Sequence, residues 1–381
     1  MQAPLRLLNA FRTGTPTGLV LATAVSTAVF VATPVTLPAV VDRFDVSAGT
    51  AGLYSTAQLG VFVVGSWASG RFLTPSAAVF RRALVLLAAA NLASAATDLF
   101  AVLVVTRAAA GLALGVLTWL AWSQVFGDNE RQGDIAVIGP LAGVVASPLF
   151  GVLLEAGDDR HVFVALAAAS LLPLLAVPFF DPGGGVEQVT ERHRAVPQAM
   201  VLVAALAVLT FGGSAVFVFA GVIATSELGL TPIVIALVFS ANAAASIPSA
   251  RWRGARPASG VWVLVTGVCA ISLGSLDQAW QFWAVLTVWG FSFWAAVPGI
   301  YTLLAERSAY PAERAGDAQA AMAGGRAVGP LIGGMVVNAG SFAWLGAVGG
   351  GVMLAAGAAC LLVEFGGAVR RAGAPASPTT T

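Results

Sequence analysis

Long uncharged stretches alternate with short polar connections along almost the whole chain. From residue 17 onward each stretch holds about 20 mainly apolar residues, which is the length an α-helix needs to cross a bilayer. Twelve such stretches follow one another, and only residues 181–197 form a longer connection, rich in Gly and charge. The pattern predicts an all-α integral membrane protein with twelve transmembrane helices. Six-helix bundles at 17–180 and 198–365 lie between an N-terminus (1–16), a linker (181–197) and a tail (366–381).

The arginines predict the orientation of these helices. If the N-terminus is cytoplasmic, 15 of the 19 basic residues fall in cytoplasmic segments. External loops then hold only Arg43 and Arg160, while Arg107 and Arg326 fall within spans. Because basic residues concentrate in cytoplasmic loops, both chain ends and the linker are predicted to be cytoplasmic.

Composition excludes several classes of protein. Hydrophobic residues make up 58% of the 381 residues and charged residues only 10%, so a soluble enzyme is excluded. A net charge of +1 gives no basic surface for a nucleic acid. Two histidines, His161 and His193, and two cysteines cannot assemble a usual metal site. We therefore expect no cofactor and no metal, and we expect a monomer whose partners are the bilayer, a small-molecule substrate and, as coupling ions, protons.

The two halves carry traces of a repeat. A shift of 183 residues places Glu130, Arg131 and Asp134 on acidic and basic residues of the same type, at 313, 314 and 317. Residues 139–151 and 325–334, in spans five and eleven, are both rich in Gly and Pro. Duplicated halves are common in secondary transporters, whose substrate site lies between them near the membrane midplane.

Gly and Pro in these two spans suggest a moving contact. Glycines let helix backbones approach closely, and prolines kink a helix. The candidate residues are Gly143 and Pro148 in span five and Gly329 and Pro330 in span eleven. Tight packing alone explains them, and the functional alternative is a seam on which the two halves rock.

Several segments resemble conserved motifs of the major facilitator superfamily. Residues 70–71 (Gly-Arg) and 81–82 (Arg-Arg) resemble its segment between helices two and three, with Thr74 in place of the usual Asp. Arg107 resembles its helix-four arginine, and residues 139–151 resemble its exporter signature GxxxGPxxGG, with Ser147 in place of one Gly. The resemblance implies a cavity lined by helices one, four, seven and ten, and drug or small-molecule export.

Two arginines within spans are candidates for the transport chemistry, since a charge at the bilayer centre faces water, a partner or a ligand. Arg326 either binds an anionic group of the substrate or satisfies carbonyls beside Pro330. Arg107 either serves proton coupling, as the resemblance implies, or forms an ion pair with Asp42 or Asp98. All 18 acidic residues lie in loops or near span ends. Coupling would therefore use end carboxylates such as Asp42 or Glu155, unless the protein is a facilitator.

Aromatic residues predict the character of the cavity. Helix ten is rich in tryptophan, and Trp294 lies beside a Pro-Gly break at 298–299. Such rings either line the cavity or face lipid and other helices. The candidate cavity residues are Phe30, Gln58, Trp122, Phe217, Asn242, Trp294 and Arg326, with Asn91 as a further polar group. An apolar wall with few polar groups suits hydrophobic or aromatic ligands.

These observations favour proton-coupled export of small, mainly apolar organic compounds across the cell membrane. The alternative is an importer or facilitator of a small organic anion bound by Arg326. A membrane enzyme would need clustered His, Asp, Glu or Cys at a membrane face. That possibility, and a non-transporting sensor, are the remote alternatives.

Overall fold

The computed structural model describes residues 15–125, 129–180, 193–250 and 258–372. These residues form twelve long helices, six in each half. Those of the first half are α1 (Thr17–Phe44), α2 (Ala48–Phe72), α3 (Ala77–Ala96), α4 (Phe100–Val125), α5 (Asn129–Ala156) and α6 (Asp159–Leu171, then a 3₁₀ turn Leu172–Ala176). Those of the second half are α7 (Pro197–Phe217, then a short helix Ala220–Ser226), α8 (Pro232–Ala250), α9 (Ser259–Leu273), α10 (Ala279–Glu306), α11 (Pro311–Ala339) and α12 (Phe342–Ala372).

Ten of the twelve helices in the described residues are long and apolar enough to cross a membrane. The other two are α9, which is short, and α2, whose sequence holds many Gly, Ser and Thr. The predicted all-α membrane architecture is confirmed at this level. Helix α12 continues to Ala372, beyond its candidate span, which ends at Gly366.

Local sequence explains where several helices begin and end. The side chains of Ser47 and Ser76 accept hydrogen bonds from the amides of Thr50 and Val79, which caps α2 and α3. Asp158 caps α6 in the same way. Asp45 takes a left-handed conformation (φ 48°) just past the end of α1, as a helix-terminating residue often does.

The helices pack as two six-helix groups. In the first, α4 packs on α2 and α3, and α1 packs on α5; in the second, α7 packs on α11 and α12, and α9 packs on α10 and α12. Between the groups, α5 packs on α8 and α2 packs on α11. Helix α5 ends at Ala156 and α11 at Ala339, a separation equal to the predicted 183-residue shift.

Each end of the bundle carries ion pairs, and they serve here to name the two ends. At the end where the odd-numbered helices finish, Arg43 of α1 is bonded to Asp159 of α6. At the opposite end, Arg314 of α11 bonds Glu313 and Asp317. We call these the Arg43 end and the Arg314 end.

Candidate functional site

The first contact between the halves is the seam of α5 and α8. A Cβ added at Gly151 would lie 2.7 Å from the Cβ of Ala236, and one at Gly143 would lie 3.1 Å from the Cβ of Ala243. Between these two levels, the Ser240 hydroxyl donates to the carbonyl of Val144 at 2.8 Å. The seam therefore stays closed from the Arg43 end down to Gly143.

The second contact is the seam of α2 and α11. A Cβ at Gly49 would lie 2.1 Å from the Gly334 carbonyl oxygen, and one at Gly334 would lie 2.5 Å from the Gly49 carbonyl oxygen. One turn further, a Cβ at Gly52 would lie 2.7 Å from the Phe219 ring and 3.3 Å from the Pro330 carbonyl oxygen. Only glycine allows backbones to meet this closely, so the Arg43 end of this seam is also closed.

Towards the Arg314 end, α2 and α11 separate. At about 3.6 residues per turn, Gly60 and Trp67 lie on the face of α2 that carries Gly49. A Cβ at Gly60 would have no neighbour within 4 Å, and Trp67 is 61% exposed. Gly316 lies on the same face of α11 as Gly334, and a Cβ there would also have no neighbour within 4 Å. The two halves thus leave a cleft between α2 and α11 that opens at the Arg314 end.

Arg326 lies on α11 between the closed and the open parts of this seam. Its side chain is exposed, and in the described part of the chain it makes no hydrogen bond and no ion pair. Its electrostatic neighbour is Tyr301 of α10, whose hydroxyl lies 3.6 Å from the sulfur of Met322. An unpaired guanidinium is unfavourable in lipid, so this placement favours contact with water in the cleft. The alternative that Arg326 satisfies carbonyls beside Pro330 has no hydrogen bond to support it.

The aromatic candidates lie in two groups. Phe30 of α1 packs edge-on against Phe62 of α2, with ring centroids 5.2 Å apart. Phe217 at the end of α7 contacts Phe239 of α8 and Trp289 of α10. The structure therefore places each ring at a junction of two or three helices.

The tryptophan candidates are the more accessible rings. Trp122, near the Arg314 end of α4, is 42% exposed, and Trp294 is half-buried beside Phe293.

The polar candidates lie at helix contacts. Gln58 is buried and donates to the Thr33 hydroxyl at 3.5 Å, while its Oε1 has no hydrogen-bond partner among the described residues. Asn242 donates to the Leu286 carbonyl at 2.7 Å, which ties α8 to α10. Asn91 does not face the cleft, contrary to the prediction, because it is buried among α3, α4 and α6 and accepts from Arg107.

Arg107 is fully enclosed in the first half. It donates to the carbonyl of Ala90, to Asn91 Oδ1 at 2.9 Å and to the Ser94 hydroxyl at 2.7 Å. The Phe163 ring lies beneath its guanidinium, 4.8 Å away. The predicted ion pair with Asp42 or Asp98 is wrong, since Arg107 binds neither of them.

The two acids predicted for that ion pair lie elsewhere. Asp98 is bonded to Arg160, and Asp42 is exposed with no hydrogen bond or ion pair in the described residues.

Sequence reasoning missed the polar cluster around Arg107. Tyr54 is fully buried in α2, and its hydroxyl lies 3.0 Å from that of Thr36. Arg43, counted as an external loop charge, instead donates to Asp159 at 3.0 Å and to carbonyls at the end of α3. No motif marked these residues, because their partners lie on other helices, 18 positions away for Tyr54 and more than 50 for Arg43.

The predicted seam residues separate into two kinds. Gly143 lies at the α5–α8 seam, and Pro148 interrupts the same helix. Gly329 does not lie at the seam, because a Cβ there would meet the Ser214 hydroxyl and the Phe211 carbonyl of α7, in its own half. On α11 the contact across the halves is made by Pro330 and Gly334 instead.

Within the described ranges, no three His, Cys, Asp or Glu side chains come together as a metal site would require.

Comparison with known proteins supports the fold. No family model matches the sequence, and no curated relative does. A solved structure of a bacterial homologue of the human lysosomal transporter Spinster, inward-facing and occupied, matches with a TM-score of 0.66 and 15% identity over 95% of this chain and 98% of that one. The inward-facing, unoccupied form of such a homologue matches with a TM-score of 0.64 and 14% identity, over 91% and 94% of the two chains. The chain therefore has the fold of these two solved structures.

Proposed function

We propose that this chain, which has the major facilitator fold, is a secondary transporter of the cell membrane that exports small, mainly apolar or aromatic compounds by alternating access. Its arginine distribution assigns the Arg43 end to the exterior and the Arg314 end to the cytoplasm. The cleft between α2 and α11 is the observation that carries the proposal, because it is closed at the Arg43 end and open at the Arg314 end. Both solved structures that the chain resembles are also inward-facing.

The cleft suits a compound with a large apolar surface. Trp67 and Trp122 are exposed towards the Arg314 end, where the cleft opens. We propose that substrate enters from the cytoplasm and is released outside after the two halves rock about their seams.

A flux assay tests this proposal. Purified protein in liposomes should transport aromatic compounds. Trp122→Ala should raise the KM about tenfold, because the substrate loses a ring that would shield its apolar surface from water. Trp344→Ala is the control, since Trp344 is 64% exposed on α12, whose main contacts among the described residues lie within its own half. Equal effects of the two variants would assign Trp122 to the lipid surface and contradict its place in the cavity.

Proton coupling is the second part of the proposal. The acidic residues lie near helix ends, so coupling would run through carboxylates such as Asp42 or Glu155. We expect substrate flux to stop when a protonophore collapses the pH gradient. Unchanged flux would identify a facilitator.

Arg326 favours a second candidate function, the import or facilitated passage of a small organic anion. Its exposed guanidinium has no partner among the described residues, so it is free to bind a carboxylate or phosphate. Arg326→Ala should then lower transport of anionic compounds by about 10- to 100-fold, and Arg326→Lys should retain part of it. Equal transport of all anionic compounds by the Ala variant would refute this candidate.

A further inference from the structure

The outer end of each seam finishes in a polar side chain that reaches the first turn of the helix across it. At the α5–α8 seam, Glu155 in the last turn of α5 accepts a hydrogen bond from the amide of Ile233 at 3.3 Å. At the α2–α11 seam, Asn338 in the last turn of α11 has its Oδ1 2.3 Å from the position that a Cβ on Gly49 would take. Each side chain crosses from one half of the protein to the other.

These two residues are equivalent in the repeat. Glu155 and Asn338 are 183 positions apart, and so are Gly151 and Gly334, the glycines one turn below them. Gly151 and Gly334 also make the corresponding close contacts across their seams. The two seams thus share one design, which ends in a carboxylate in one copy and in an uncharged amide in the other.

The first turn of a helix carries unpaired amide groups and a partial positive charge, which favour a carboxylate over a neutral group. Pro232 and Ile233 form the first turn of α8, and Glu155 supplies the negative charge there. Because the contact joins the two halves, parting them at this end would break it. An interaction present in one conformation and absent in the other biases the equilibrium between them.

We propose that Glu155 is a gating residue: its charge holds the exterior end shut by binding the N-terminus of α8, and Asn338 holds the second seam through a weaker, uncharged contact. The proposal rests on the alternating access proposed above. The two seams would then be held by contacts of unequal strength, and the stronger, charged contact would be the one made by α5.

Distances between spin labels at the exterior end test this directly. Cysteines at Ala96 and Ser275, exposed positions in the two halves, would carry the labels on the full chain in lipid nanodiscs, without substrate. Glu155→Ala should raise the ratio of open to closed molecules about five- to tenfold, and Glu155→Gln about two- to fivefold. Asn338→Asp, which adds a charge facing the first turn of α2, should lower the ratio about twofold.

Glu227→Gln is the matched control, because it removes the same charge from an exposed carboxylate at the same end that makes no hydrogen bond across a seam. It should leave the distance distribution unchanged. An unchanged distribution in both Glu155 variants, or a shift of equal size in Glu227→Gln, would overturn the proposal. The measurement needs neither substrate nor gradient. The spin-label experiment can therefore fail while the flux assays succeed. If the flux assays fail instead, the spin-label distances can still be interpreted.

Discussion

The two seams between the halves are copies of one design, yet they differ in how far they stay closed. The α5–α8 seam is closed from Glu155 to Gly143, where a Cβ would meet Ala243 at 3.1 Å. The position 183 residues before Ala243 is Gly60, on the α2–α11 seam, and there a Cβ would meet nothing within 4 Å. The same repeat unit therefore forms a contact that is closed as far as Gly143 on one side and the mouth of a cleft on the other.

The difference has a sequence basis. Ser240 bonds α8 to the backbone of α5, whereas its repeat equivalent on α2 is Ala57, which has no hydroxyl. Gly143 corresponds to Arg326, a long charged side chain that cannot lie in a tight helix contact. The α2–α11 seam, which opens, therefore lacks this hydrogen bond and carries a charged side chain instead.

The largest effect is expected from filling a closed contact. Gly334→Leu would place a side chain where the Gly49 carbonyl oxygen lies 2.5 Å from the Cβ position, so the exterior end could not close. Transport should fall about 100-fold or more while the protein still inserts and folds, since the clash lies between halves rather than within one. Flux and a thermal melt in detergent measure the two.

Gly351→Leu is the control for this substitution. A Cβ at Gly351 would have no neighbour within 4 Å, and α12 takes no part in either seam. Wild-type transport by Gly334→Leu would show that the close contact is not required in the cycle.

The next effect is expected from filling the cleft. Gly60→Leu fits the open space seen here, so stability should not change. When the cytoplasmic end closes, α2 and α11 approach each other, and the new side chain should then hinder them. We expect transport to fall about tenfold, with the spin-label distances at the exterior end shifted towards the closed form. Full activity would mean that α2 and α11 do not converge at Gly60.

Much of the fold could be predicted because it depends on local properties. Apolar stretches of bilayer length, separated by charged connections, set twelve helices without knowledge of their contacts. The 183-residue repeat identified the last turns of α5 and α11 as equivalent, and both helices end where it predicts. Apolarity marks the membrane span rather than the whole helix, so it does not show that α12 continues to Ala372.

The site could be predicted only in part, because it depends on the direction of each side chain. Gly143 and Gly329 look alike in sequence, but Gly143 faces the other half and Gly329 faces its own. Arg107 and Arg326 are both charges within spans. Arg107 is enclosed by groups of α3 and α6, whereas Arg326 is exposed and makes no hydrogen bond or ion pair among the described residues. Spacing along one helix cannot show which neighbour lies opposite. Only the structure therefore distinguishes the two glycines from each other, and likewise the two arginines.

The smallest effect is expected from the single hydroxyl that distinguishes the closed seam. Ser240→Ala removes the bond to the Val144 carbonyl, a loss of about 1 kcal/mol for a hydrogen bond of this kind. If that bond is made only in the exterior-closed form, the ratio of open to closed molecules should rise about fivefold. Ser246→Ala is the matched control, because the Ser246 hydroxyl bonds the Ala243 carbonyl within α8 itself. The labels at Ala96 and Ser275 measure both variants. A rise confined to Ser240→Ala would mean that α5 and α8 part along their length during the cycle, and no rise would mean that they stay together as a hinge while α2 and α11 move.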